Sequence, residues 1–340
     1  MTTHQNRLLW ADIARIISIF AVIFLHAAAH NFSRSFDGTM NPIWMACNIN
    51  DSLVRWCVPV LVMLSGALLL PRTSAYDITK LPKRIATIAV PLFVWSLVFI
   101  CRKHSLSFDS ILNIFLKPQY YHLWFVYMLI GVYALMPFLK AIYDRLLNDK
   151  NLALYFLCVW LISSSIDIFV PSFKRITAVY FISHFFVFGG FFIIGAYLST
   201  LPVPSKKNVI LACVVLVFCL FFTATHVTWS SIEQGKIVKM AYHNLAPNTI
   251  IAAFCVFILC RAIPQKSEKI NNFIEYLSDK TYLVYLMHPL ILPKVYAKLT
   301  YFDGYLFSLR IWITAILTFV ICTLIAMILR LIFKNRLWIG

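Results

Sequence analysis

The sequence predicts an all-α polytopic membrane protein of about ten transmembrane helices, with N- and C-termini cytoplasmic. Three observations predict it. Of 340 residues, 61% are hydrophobic and only 13% charged, whereas a soluble domain carries about 25% charged residues. Apolar runs recur at the length of roughly 20 residues that a helix needs to cross the hydrocarbon core. Strand-period alternation is missing and only 9 glycines occur, which disfavours a transmembrane barrel. Residues 1–340 read as a single membrane domain.

The predicted spans are 8–29, 43–70, 85–101, 121–141, 151–169, 179–199, 208–226, 243–261, 281–298 and 308–333. The first is full length and is followed by no small-residue cleavage pattern, so it reads as a span and not as a signal peptide. The second is long enough to tilt or to break at Pro59. The ninth is the least apolar. Pro289 and Pro293 interrupt it, which predicts a segment that does not span cleanly. Pro71, Pro202, Pro204 and Pro264 sit where turns are expected. Orientation follows the basic residues. With the N-terminus inside, the larger share of the 30 Lys and Arg falls on the cytoplasmic side. That set includes Arg72, Lys80, Lys83, Arg84, Arg330, Lys334 and Arg336.

The net charge of +17 would suggest nucleic acid in a soluble protein. Here it reads as positive-inside anchoring against anionic lipid, because no soluble surface is long enough to form a groove. Nine cysteines are scattered without a C-x-x-C pair. This predicts neither a zinc site nor a disulfide framework.

Ionisable groups inside a span cost about 2.5–3.5 kcal/mol each, so they normally face a partner or a cavity. The first helix carries Asp12, Arg15 and His26. At 100° per residue Arg15 lies about 60° from Asp12 and His26 falls between them. Asp12 and Arg15 are one turn apart and can pair, and His26 is about 16 Å further along the axis. The second segment repeats the theme, with Asn48, Asp51, Ser52 and Arg55 at spacings of three and four. Two polar faces imply an internal chamber. The competing readings are interfacial residues at the two rims of the first helix, and an ion-pair patch between the first two helices.

These residues resemble the membrane acyltransferase-3 family, which O-acylates envelope sugars in bacteria. Arg15, ten residues and His26 match its Arg-x10-His motif. The run Arg55-Trp-Cys-Val-Pro59 continuing to Ser65-Gly66 resembles its R-x-x-V-P…S-G stretch, with Leu61 and Val62 in place of the usual aromatics. His122-Leu-Trp124-Phe125, continuing to Pro137, resembles its H-L-W-F signature. Ser278 to Leu290 resembles its S-Y-x-x-Y-L-x-H run, ending at His288. The family's R-x-x-R pair before the third helix is replaced here by Lys80-Leu-Pro-Lys83-Arg84. The chain is similar to the short, stand-alone O-acetyltransferases of O-antigen or enterobacterial common antigen, without an SGNH or other soluble domain.

The resemblance implies an integral O-acyltransferase of the bacterial inner membrane. It would move an acetyl group from cytoplasmic acetyl-CoA to a hydroxyl of a lipid-linked envelope saccharide. A hydroxyl needs a general base, and His26 is the candidate, with Arg15 and Asp12 as further catalytic candidates on its stripe. His26 as a covalent acyl carrier stays open. CoA is polyanionic, so Lys80, Lys83, Arg84 and Arg15 are its expected contacts; ordinary anchoring explains Lys83 and Arg84 equally. Asp51, Arg55, Ser65, His122, Trp124 and His288 are assigned to the chamber or to substrate, against interfacial or structural roles for His122, Trp124 and His288. No metal is expected. The alternatives are a transporter or flippase for a lipid-linked sugar or small anion, and a non-catalytic assembly partner.

Overall fold

A computed structural model describes residues 8–71, 77–103, 106–169 and 177–333, the side chains of 166–169, 177–187 and 305 excepted. Arg72, Lys334 and Arg336 lie outside the described residues. The regular elements described are all helical. They are α1 (Leu9–Phe32), α2 (Pro42–Ser52), α3 (Cys57–Leu69), α4 (Leu81–Arg102), α5 (Phe108–Leu116), α6 (Trp124–Ala134), α7 (Met136–Leu147), α8 (Lys150–Phe169), α9 (Thr177–Thr200), α10 (Lys206–Glu233), α11 (Pro247–Arg261), α12 (Glu268–Ser278), α13 (Thr281–Lys298) and α14 (Phe307–Phe333), joined in places by short 3-10 turns.

The chain is a polytopic membrane protein, and helices occupy all ten predicted segments. Among the described residues, six are long and apolar enough to cross a membrane alone, or seven if the bent stretch from α5 to α7 forms one span. Of the other predicted spans, those of α8 and α9 are described only in part. α13 is less apolar, with His288 and two prolines within it and Lys294 and Lys298 exposed towards its end.

Prolines set the breaks. α2 opens on Pro42, with the Asn41 side chain accepting from the Trp44 amide at 2.9 Å. The expected break in the second segment falls at Leu53–Trp56, just ahead of Pro59. Pro59 has no N–H for the Arg55 carbonyl and its ring would collide with it, so the helix restarts with proline in its first turn. Pro137 acts likewise: the predicted single span 121–141 divides at Leu135, and the stretch is bent by 67°.

The expected interruption of the ninth segment is not found. Pro289 and Pro293 both lie inside the continuous helix α13. Each proline frees a carbonyl four residues back, and both carbonyls find a donor. Tyr285 O accepts from His288 Nδ1 at 2.6 Å, and Pro289 O from Arg102 Nη1 at 3.4 Å. This is the rescue a broken ladder needs where water is scarce.

Two short helices have no counterpart among the predicted spans. α5 is closed by a Ser107/Ser110 capping box and exposes Phe108, Phe115 and Leu116. It reads as an interfacial helix, its apolar side towards lipid. α12 is amphipathic and packs against α1. Neither holds a long apolar run.

The tightest packing joins α3 to α9. A Cβ on Gly66 would lie 1.8 Å from the Phe192 carbonyl oxygen, and one on Gly195 would lie 2.1 Å from that of Met63. Only glycine permits this backbone approach, the usual device where helices associate in lipid. Partner order then fixes direction. Arg15 meets Ser278 and His26 meets His288, so α1 and α13 run the same way. Tyr282 Oη donates to Ile88 O at 2.9 Å and Arg102 reaches Pro289 O, so α4 runs with them. The starts of α1, α4 and α13 therefore share one end of the bundle.

Candidate active site

Four of the predicted residues line one cavity of about 200 Å³: His26 from α1, Arg55 from the α2–α3 break, and His122 and Trp124 from the start of α6. Val22, Leu25, Leu61, Phe125, Asn244 and Tyr285 complete much of its wall. Arg55 comes from the turn at 53–56 that separates α2 from α3.

His26 is half-buried. Tyr121 stands edge-on to it at 4.7 Å and His288 lies nearly parallel to it at 5.4 Å between ring centres. His288 is fully buried and also touches His122, at 5.1 Å. Its Nδ1 faces the Tyr285 carbonyl. A carbonyl only accepts, so Nδ1 carries the proton and Nε2 keeps its lone pair. That Nε2 is buried with no protein partner. His122 is fixed with the opposite tautomer. Its Nε2 donates to Leu286 O at 3.2 Å, the Tyr285 hydroxyl donates to its carbonyl, and Nδ1 is buried without a protein partner. Two imidazoles are thus held by backbone carbonyls with a bare nitrogen each.

Arg55 is held by Asp51 in the preceding turn, where the carboxylate is fully buried. The guanidinium lies 3.9 Å over the Tyr242 ring, and the Tyr242 hydroxyl donates to Asn48. Asn48 in turn donates to Thr228 Oγ1 at 2.6 Å and to Ala224 O at 2.9 Å. The polar face of α2 is thus an internal network reaching α10, and the Asp51–Arg55 pair lies within the second segment and not between the first two helices. Arg55 Nε is buried without a protein partner. Paired through one edge and bare on another, the guanidinium can still donate.

Other predicted residues lie elsewhere. Asp12 and Arg15 do pair, at 3.6 Å, and Arg15 Nη1 donates to Ser278 Oγ at 3.0 Å. They are at the far end of α1, with buried Ile19 and Val22 between them and His26 on that face. Neither Asp12 nor Arg15 lines the cavity at His26. Ser65 donates to Leu61 O at 2.9 Å in its own helix and does not line the cavity. Lys80 and Lys83 are exposed. Lys80 pairs with Asp77 at 3.1 Å, and the hydrogen bonds from Thr79 and then Lys80 hold the Asp77 carboxyl below its ordinary range. Arg84 Nη1 lies 3.3 Å from Met136 Sδ. These basic residues share the Arg15 end but do not converge on one point.

Sequence reasoning missed Tyr121, Tyr242, Asn244 and the role of Tyr285. Tyr285 had a signal, standing one helical turn before His288. The others come from turns whose position only the folded chain sets. Among the described residues no three His, Cys, Asp or Glu side chains are grouped to hold a metal ion, and all nine cysteines are free.

No curated protein and no solved structure gives a significant match. The family model Acyl_transf_3, described as an acyltransferase domain, matches residues 8–330, nearly the whole chain and all the residues of the cavity. The chain belongs to the acyltransferase-3 family of membrane-bound acyltransferases.

Proposed function

We propose that the protein is an O-acetyltransferase that moves an acetyl group from cytoplasmic acetyl-CoA to a hydroxyl of a lipid-linked envelope saccharide in the bacterial inner membrane. Both termini are cytoplasmic in this reading, and the Arg15 end of the bundle faces the cytoplasm. The observation that carries it is the convergence of His26, His122, Arg55 and Trp124 on one cavity.

The chemistry balances with these groups. His26 takes the proton of the acceptor hydroxyl as its oxygen attacks the thioester carbonyl. Arg55, with a donor to spare, stabilises the negative charge on the tetrahedral oxygen. The C–S bond breaks, and His26 returns the proton to the departing thiolate. Trp124 offers an aromatic face to a sugar ring. Arg15, Lys83 and Arg84 attract the phosphates of CoA at the other end, through charge and not through a preformed cradle.

The test is mass spectrometry of envelope glycans from a strain lacking the protein, complemented with wild type or His26→Ala. Wild type restores an acetyl ester that the variant does not restore, although the variant inserts normally. Acetyl content restored by His26→Ala removes His26 from the chemistry. A change in the amount of exported glycan, with acetylation intact, supports the transporter reading instead.

A further inference from the structure

His288 stands behind the cavity. It is fully buried and touches both His26 and His122, which line the wall. Its orientation follows from the sequence. Pro289 cannot donate to the Tyr285 carbonyl, so that carbonyl is free to take the Nδ1 proton of His288. The proton is thereby placed on the nitrogen that faces the helix backbone, leaving Nε2 as a buried, partnerless acceptor. A buried acceptor without a donor costs about 1–3 kcal/mol. The neighbouring ring of His122 cannot relieve it, since its one proton is committed to Leu286 O. His26 can. Among the described residues its ring nitrogens have no hydrogen-bond partner, and its ring lies nearly parallel to His288 with centres 5.4 Å apart. A pivot of His26 about its Cβ–Cγ bond is needed to turn one of its ring nitrogens towards His288 Nε2.

We propose that His288 is a positioning residue that accepts the ring proton of His26 through Nε2, so that His26 presents its other nitrogen, bare, to the acceptor hydroxyl. This rests on the transferase reading and deepens it. No carboxylate hydrogen-bonds to His26 among the described residues, and His288 fills the place of the group that orients a catalytic histidine. The other charged and titratable neighbours are engaged elsewhere, Tyr285 through its hydroxyl on His122 O. Tyr121 faces His26 with its ring edge, Arg55 is held by Asp51, and Arg102 of α4 is on Pro289 O. Arg310 of α14 is held further along α13 by Asp303 and Tyr296 O.

The full-length protein in detergent, labelled with nitrogen-15 in histidine, tests this by NMR alongside kinetics. His288→Leu removes the acceptor, and His288→Gln keeps an oxygen that can accept. The Leu variant is expected to lose at least about 100-fold in kcat, the lower end for a positioned acid–base group, with the KM for acetyl-CoA unchanged. The acidic limb of its pH–rate profile moves to lower pH, because protonated His26 has lost its acceptor. The His26 nitrogen resonances move in His288→Leu, and His288→Gln recovers much of the rate. Unmoved His26 resonances overturn the proposal, as does a wild-type kcat in His288→Leu. If the Leu variant does not fold, the wild-type tautomer pattern and His288→Gln still decide: a protonated His288 Nε2 overturns it. Absence of acyl transfer by wild type refutes the transferase reading, while the nitrogen resonances still report on the His26–His288 contact.

Discussion

The two polar ends of α1 contrast sharply. Around His26 the polar groups are few and each is held in place: Tyr285 O fixes the buried His288, Leu286 O the buried His122, and the Asp51 carboxylate the half-buried Arg55. Around Arg15 the cations sit on long side chains, and Lys80 and Lys83 are exposed. The first arrangement suits bond-making, where donors and acceptors must not reorganise during the reaction. The second suits a flexible polyanion, which needs charge more than fixed geometry.

Four experiments break or sharpen that contrast. The largest effect is expected at Arg55. Arg55→Met leaves Asp51 as an unpaired buried charge and should cost about 3–5 kcal/mol of stability, read as a lowered unfolding temperature in detergent. Asp51→Asn added to Arg55→Met should recover much of it. Unchanged stability in the single variant would show that the pair is solvated. Next, His122→Leu should lower acetyl transfer about 100-fold while the protein remains folded, because it removes an acceptor from the cavity wall. Activity within a few-fold of wild type would make the cavity a His26 site alone. Third, Lys83→Ala with Arg84→Ala should raise the KM for acetyl-CoA about tenfold, with the effect shrinking as salt rises, since exposed charges are screened. A fall in kcat at unchanged KM would contradict the division between the two ends. The smallest effect belongs to Lys80→Ala. Its exposed pair with Asp77 contributes little, so neither the unfolding temperature nor kcat should change measurably.

Much of this was legible before the fold was known. Hydropathy located the helical segments, since each must bury its own backbone polar groups in lipid. The 3.6-residue period put Asp12, Arg15 and His26 on one face, and Asp12 and Arg15 do pair. Periodicity on one helix, however, says nothing about what faces it. It left Arg15 and His26 as one continuous stripe, whereas Ser278 at the end of α12 meets the one and His288 of α13 the other. Ser65 followed its motif partner Gly66 into the chamber assignment. The structure gives Gly66 a packing role against Phe192 and leaves Ser65 bonded within its own helix.

The sequence by itself determined that the chain is helical and membrane-embedded, which backbone carbonyls its prolines leave without a donor, and which few charges lie within its spans. These depend on composition and on spacings of a few residues. Only the tertiary structure decided that α13 stays whole through two prolines, that Arg55 turns towards His26, and that three histidines from distant segments meet. Those outcomes depend on donors and rings supplied by other helices, such as Arg102 for the Pro289 carbonyl, and no local pattern encodes which helix will supply them.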